Sequence, residues 1–244
     1  MTTITSQAGQ TTVRTFASST AEQAVQTNPT AKEQPASPPS GDSAGKDFTT
    51  VAKDARSILD ASAKAAGKKF SINSNFQEWQ TTFAGMDRRS LFAVAGNKDG
   101  AFSKDEQEAA SFLMFKQEEA VMKTAGDHAS GFKAMVEFLD SVSPEEKTSV
   151  KWAFSRASAQ QSYEDVVTSE GGAPERIDSE SPLVKVIKAA LQASKSDPEK
   201  NKITGPGTTI EDLEKQPWAK GFEQQLEQAY YSSTRSGSLL DLNA

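Results

Sequence analysis

After residue 46, apolar residues recur at spacings of three and four, and alternating runs of β-branched residues are absent. This pattern predicts helices and no strand. The first helix runs from Asp47 to about Ala66, with Phe48, Val51, Ala55, Ile58, Leu59 and Ser62 tracing one face. Asp47 offers a side-chain oxygen to the first free amides, and Gly67 supplies a stop. A second helix is expected from about Asn75 to Val94, through Phe76, Trp79, Phe83, Met86 and Leu91, weakened locally by Gly85. A third begins at Ser103 and reaches about Ala125. Its expected apolar face carries Phe112, Phe115 and Met122, broadened by Leu113 and Met114.

A fourth helix covers about Ser130 to Leu139 through Phe132, Met135 and Val136. A fifth starts at Ser143-Pro144-Glu145-Glu146 and continues through Val150, Phe154 and Ala157 to about Gln161. The Ser cap, the Pro at the first helical position and the acids in the first turn all suit a helix start. A sixth spans Pro182–Ser194 with Leu183, Val184, Ile187 and Leu191. A last begins near Thr209 with Ile210, Leu213, Trp218, Phe222, Leu226 and Tyr230, and Pro217 should kink or restart it.

Composition divides the chain. About one-third of residues 1–46 are Ser or Thr, Phe16 is the one aromatic, and Pro35-Ala-Ser-Pro-Pro-Ser-Gly41 is linker chemistry. Such a segment cannot bury enough apolar surface to offset its ordering entropy, so residues 1–46 are expected to be a disordered tail. Ten of the 13 Phe residues lie between Phe70 and Phe154, which places the main helical domain at 47–161. Residues 162–244 then supply C-terminal helices that pack on or flank it, or dock a partner. The predicted fold is an all-α bundle centred on Trp79, Phe83, Phe112, Phe115 and Phe154.

Charge and cysteine content narrow the function classes. The net charge is −6, with no Cys and one His. Without Cys there is no disulfide framework, thiolate metal site or thiol nucleophile. No Lys/Arg cluster suggests a phosphate-binding surface, so nucleic acid is not an expected partner. No apolar run is long enough for a membrane span. The first residues lack the charged and apolar regions of a Sec-type signal, so the expected location is cytoplasmic, or outside the cell by a leaderless bacterial route.

One segment carries chemistry. Residues 95–106 read Ala-Gly-Asn-Lys-Asp-Gly-Ala-Phe-Ser-Lys-Asp-Glu, between two amphipathic helices. The segment resembles an EF-hand loop. Asn97, Asp99 and Gly100 fall at the third, fifth and sixth places, Ser103 at the ninth and Glu106 at the twelfth. The resemblance implies calcium as the ion, with Asn97, Asp99, Ser103, Glu106 and the Ala101 carbonyl as its ligands. Ala95 departs from it, standing where the family has Asp, and Lys98 adds a positive charge. Affinity rises with ligand charge, so any calcium site here would be weak. The same residues also make an ion-free turn, in which Asn-Lys-Asp-Gly reverses the chain and Ser103 and Glu106 form a capping box.

Catalytic equipment is sparse. His128 follows Asp127 and precedes Ser130, but neighbours one and two apart on a helix do not face each other. Glu118–Glu119, Glu145–Glu146 and Glu211–Asp212 are paired acids, and two of these pairs sit in expected first turns, where the helix dipole accounts for them. The sequence reading is therefore a non-enzymatic helical interaction protein with an unidentified protein partner, no required cofactor and a structural EF-hand-like motif. Weak calcium binding and leaderless export are the alternatives.

Overall fold

The computed structural model describes residues 43–202, 207 and 209–240. Among them the chain is all-α, with no strand. The helices are α1 (Phe48–Ala66), α2 (Phe76–Thr82), α3 (Arg88–Gly96), α4 (Lys104–Thr124), α5 (His128–Ser141), α6 (Pro144–Lys147), α7 (Val150–Ser169), α8 (Pro182–Ser194), α9 (Ile210–Glu214) and α10 (Glu223–Leu240). A 3-10 turn, Pro217–Ala219, lies between the last two. The tail expected over 1–46 lies outside the described residues except for 43–46. Those four form a turn, and Arg89 Nη1 donates to the carbonyls of Ser43 and Lys46, each at 2.8 Å.

Local chemistry sets most boundaries. Asp47 Oδ1 accepts from the Thr50 amide at 2.9 Å to open α1, and Gly67 closes it at φ 67°. Ser103 and Glu106 form the capping box of α4. Three expected helices are divided instead. The span 75–94 breaks into α2 and α3 because Gly85 takes φ 82°, and Asp87 Oδ1 then accepts the Ser90 amide at 2.8 Å to start a new helix. The helix expected from Ser143 stops after Lys147, and Ser149 Oγ caps α7 through the Trp152 amide at 3.2 Å. The last helix ends at Glu214, and Pro217 opens the 3-10 turn. Gly221, at φ 96°, precedes the restart at α10.

The apolar interior forms two clusters rather than one bundle core. The first joins Ala55 and Leu59 of α1, Phe83, Leu91 and Val94 around α3, Phe102, and Ala109, Ala110 and Met114 of α4. The second joins Val121 at the end of α4 to α5, α7, α8, the 3-10 turn and α10. Phe83 therefore belongs to the first cluster and Phe154 to the second. Leu183, Val184, Ile187 and Leu191 are all buried, as are Leu213, Trp218 and Leu226. The C-terminal helices thus pack within the chain. Residue 161, where the sequence changes texture, falls inside α7.

Two central aromatics of the sequence prediction are not in a core: Phe112 is 42% exposed and Phe115 53%. The face of α4 turned inward carries Glu106, Ala109, Ala110, Met114 and Val121 instead. Small alanines let a neighbouring helix approach closely, and that close packing turns the larger rings outward.

Polar residues also enter the interior. Arg156 is 1% exposed and bonds Asp140 through Nε at 2.7 Å and Nη2 at 3.0 Å. The same Nη2 reaches the Ile177 carbonyl at 2.7 Å, and Gln160 reaches Asp178 at 2.9 Å. Tyr163 Oη accepts the Glu175 amide at 3.2 Å. These side chains pin the non-helical segment between α7 and α8 across α7. They explain why α7 buries polar residues on one side and Trp152 and Phe154 on others.

Candidate functional site

The loop resembling an EF-hand begins where α3 ends. Asn97 adopts φ 42° and ψ 44°, a left-handed conformation that Asn tolerates better than most side chains. Its side chain turns back on the loop: Nδ2 donates to the Phe102 carbonyl and Oδ1 accepts the Phe102 amide, both at 2.9 Å. Gly100, at φ 69°, completes the reversal, and its amide bonds the Asn97 carbonyl at 3.0 Å.

A cation already sits against this loop. Arg56, from α1, places Nη1 3.0 Å from Glu106 Oε2 and 3.4 Å from the Ala101 carbonyl. Nη2 pairs with Asp60 at 2.9 Å, and the guanidinium lies 5.6 Å from the Phe102 ring centre. Burial pulls the Arg56 pKa down, and Glu106 and Asp60 more than offset it, leaving it above the ordinary arginine value. Glu106 Oε2 also accepts the Ser103 amide at 2.8 Å. Of the five candidate ligands, the structure brings Ala101 and Glu106 together around Arg56. Asn97 and Ser103 turn to backbone partners, and Asp99 stands exposed on the turn. No group of three or more His, Asp or Glu side chains among the described residues could hold a metal ion.

The paired acids and the lone His also have local roles. Asp127 caps α5, accepting the Ser130 amide and hydroxyl, each at 2.8 Å, while His128 is exposed in the first turn. The amide bond from Ser130, then its hydroxyl, holds the Asp127 carboxyl below the usual range. Glu145 and Glu146 meet Arg89 and Arg88 of α3. Arg88 is 2% exposed, and all of its nitrogens have partners. Nε lies 3.0 Å from both Glu146 oxygens. Nη2 is 2.6 Å from Glu146 Oε1 and 2.7 Å from Glu118 Oε1. Nη1 is 3.2 Å from both the Met114 carbonyl and Gln117 Oε1. Its guanidinium also lies 4.7 Å from the Phe138 ring centre. Burial would lower the Arg88 pKa, but Glu146 and Glu118 raise it overall. Burial pushes Glu146 up, Arg88 opposes this, and Glu118 adds to the rise. The Arg88 rise follows from two carboxylates sharing one guanidinium, and the Glu146 rise chiefly from its burial. This cluster ties the first core, through α3 and α4, to α6 and α5 at the edge of the second.

The surface feature that sequence reasoning placed in the core is an aromatic patch on α2 and α4. Phe112 is its hub. Its ring centre lies 5.9 Å from Phe76, 5.6 Å from Trp79 and 6.4 Å from Phe115. Two of these contacts are edge-to-face, the arrangement favoured by the ring quadrupoles. Ser74, Phe76, Trp79, Phe112 and Lys116 line a shallow cavity of 360 Å³ there. The sequence signal for the patch was present: Phe112 and Phe115 lie opposite the Ala109–Ala110 side of α4, and a helix apolar on both sides packs with only one.

Comparison with known proteins gave no match: no family model, no curated protein and no solved structure is similar to this chain. Among the described residues, no helix is long and apolar enough to cross a membrane.

Proposed function

We propose that this chain is a non-enzymatic interaction protein that binds a protein partner through the Phe76–Trp79–Phe112–Phe115 patch. In this reading the 95–106 loop is a structural turn whose cation is Arg56. One observation carries the proposal. Among the described residues, four large apolar side chains are exposed, and three of them, Phe76, Phe112 and Phe115, form this contiguous patch. Scattered exposed apolar residues are ordinary, whereas a contiguous cluster marks a contact surface. Aromatic side chains also carry much of the energy of protein interfaces.

A photo-crosslinking side chain at position 115, introduced in the cells that make the protein, tests the proposal. It should give a discrete adduct that disappears when Phe112→Ser is added, while the same group at the exposed Glu199 gives none. No adduct at position 115, or equal labelling at both positions, would refute it.

A further inference from the structure

We infer that the partner of the aromatic patch is a second copy of this chain, bound by antiparallel contact of two α4 helices about Phe112. The inference rests on reading the patch as an interaction surface. A two-fold interface must be self-complementary, because the same face supplies both sides. Phe112, in ring contact with three others, is the centre of the apolar area. Glu108 lies one turn before it and Lys116 one turn after, each about 6 Å along the axis. A two-fold axis through Phe112 stacks the two Phe112 rings and sets Glu108 of each copy beside Lys116 of the other.

The charges are arranged to allow this exchange. Glu108 is exposed and makes no ion pair among the described residues. Lys116 borders the aromatic cavity and pairs with Glu119 of its own helix. Glu119 is also held by Lys123, so it keeps a partner when Lys116 turns toward Glu108 of the other copy. The opposite registers are disfavoured. A parallel pairing sets Glu108 against Glu108, and an axis midway between Phe112 and Phe115 sets Glu108 against Glu119. The rings supply only part of the roughly 1,200 Å² of a stable interface, so the dimer should be reversible, with Kd on the order of micromolar.

Sedimentation equilibrium of the full chain at physiological salt, over about 1–500 μM, tests this. The wild type should dimerise, and Phe112→Ser and Phe115→Ser should each be monomeric with unchanged helical circular dichroism. Glu108→Lys or Lys116→Glu alone should weaken dimerisation about tenfold, and the two together should restore it to within about threefold. A wild type that stays monomeric throughout overturns the inference. So does a dimer that survives Phe112→Ser or whose double charge reversal fails to recover. The interaction reading fails separately. A crosslinked adduct at position 115 with a mass other than twice 26.2 kDa keeps that reading and removes the second copy as partner.

Discussion

Arg56 of α1 places its guanidinium 3.0 Å from Glu106, 50 residues later in the chain, and so neutralises the carboxylate at the last position of the EF-hand-like loop. A divalent ion at that carboxylate would have to displace a tethered cation that also holds Asp60 and the Ala101 carbonyl. Wild-type protein should therefore show no calcium-specific rise in Tm at about 10 mM calcium, with magnesium as control. The Arg56→Met/Ala95→Asp double variant frees Glu106 and supplies the first-position acid. With Kd near 1 mM it should gain about 1.4 kcal/mol, or about 3–6 °C. A calcium-specific rise in the wild type that is lost in Glu106→Gln would restore the calcium reading.

The loop depends on Asn97 as a conformer and as a clamp. Asn97→Ala forces an unfavourable φ and removes both bonds to Phe102, at an expected cost of about 2–3 kcal/mol. Asn97→Gly relieves the backbone and should cost less. Urea unfolding of the two variants checks the order: equal stability would contradict the backbone argument, and a cost near zero for Asn97→Gly would contradict the clamp.

Much of this local structure was legible in the sequence because it is made by nearby residues. Asp47, Gly67, the Ser103–Glu106 box and the Ser143-Pro144 start all act within four positions. The α2–α3 break was half visible: Gly85 was a weak point, yet Phe83, Met86 and Leu91 kept the helical spacing across it. The inward face of α4 was misread because ring size outweighed the small Ala109 and Ala110. Arg56 and Arg88 went unread as site residues for another reason. Glu106 lies 50 residues from Arg56, and Glu118 and Glu146 lie 30 and 58 residues from Arg88; the one local partner, Asp60 four residues after Arg56, marks only an ordinary helical pair. In retrospect the doublets Arg88-Arg89 and Glu145-Glu146 were the available clue.

The Arg88 cluster should behave as a buried charge set. Glu146→Ala leaves part of the guanidinium unpaired and should cost about 3–5 kcal/mol, whereas the Arg88→Met/Glu146→Leu double variant should recover much of that loss. A double variant as unstable as the sum of its single changes would show that the pair is not coupled.

The two acids also give opposite pH signatures. The Glu119 carboxyl is held at about 2, first by its hydrogen bond to Lys116 and then by Lys123. Its folded value lies below the unfolded one, so its stabilisation is present above about pH 4.5 and fades as pH falls toward 2. Glu146 is raised by burial, so the stabilisation linked to its proton is complete below the unfolded value and lost as pH rises through the folded one. The stability of Glu146→Gln relative to wild type should therefore increase from pH 4.5 to 8, and that of Glu119→Gln should fall from pH 2 to 5. Urea unfolding across this range checks both slopes, and reversed slopes would contradict the assignments.

If the aromatic patch serves contact rather than the fold, thermal unfolding should separate Phe115→Ser sharply from Leu59→Ala. Leu59 is 1% exposed in the first core, and its truncation should cost about 2–5 kcal/mol. Phe115→Ser should cost under about 1 kcal/mol at a concentration where the chain is monomeric, leaving Tm within about 4 °C of the wild type. A fall for Phe115→Ser as large as that for Leu59→Ala would place Phe115 in the core and rule out a contact role for the patch.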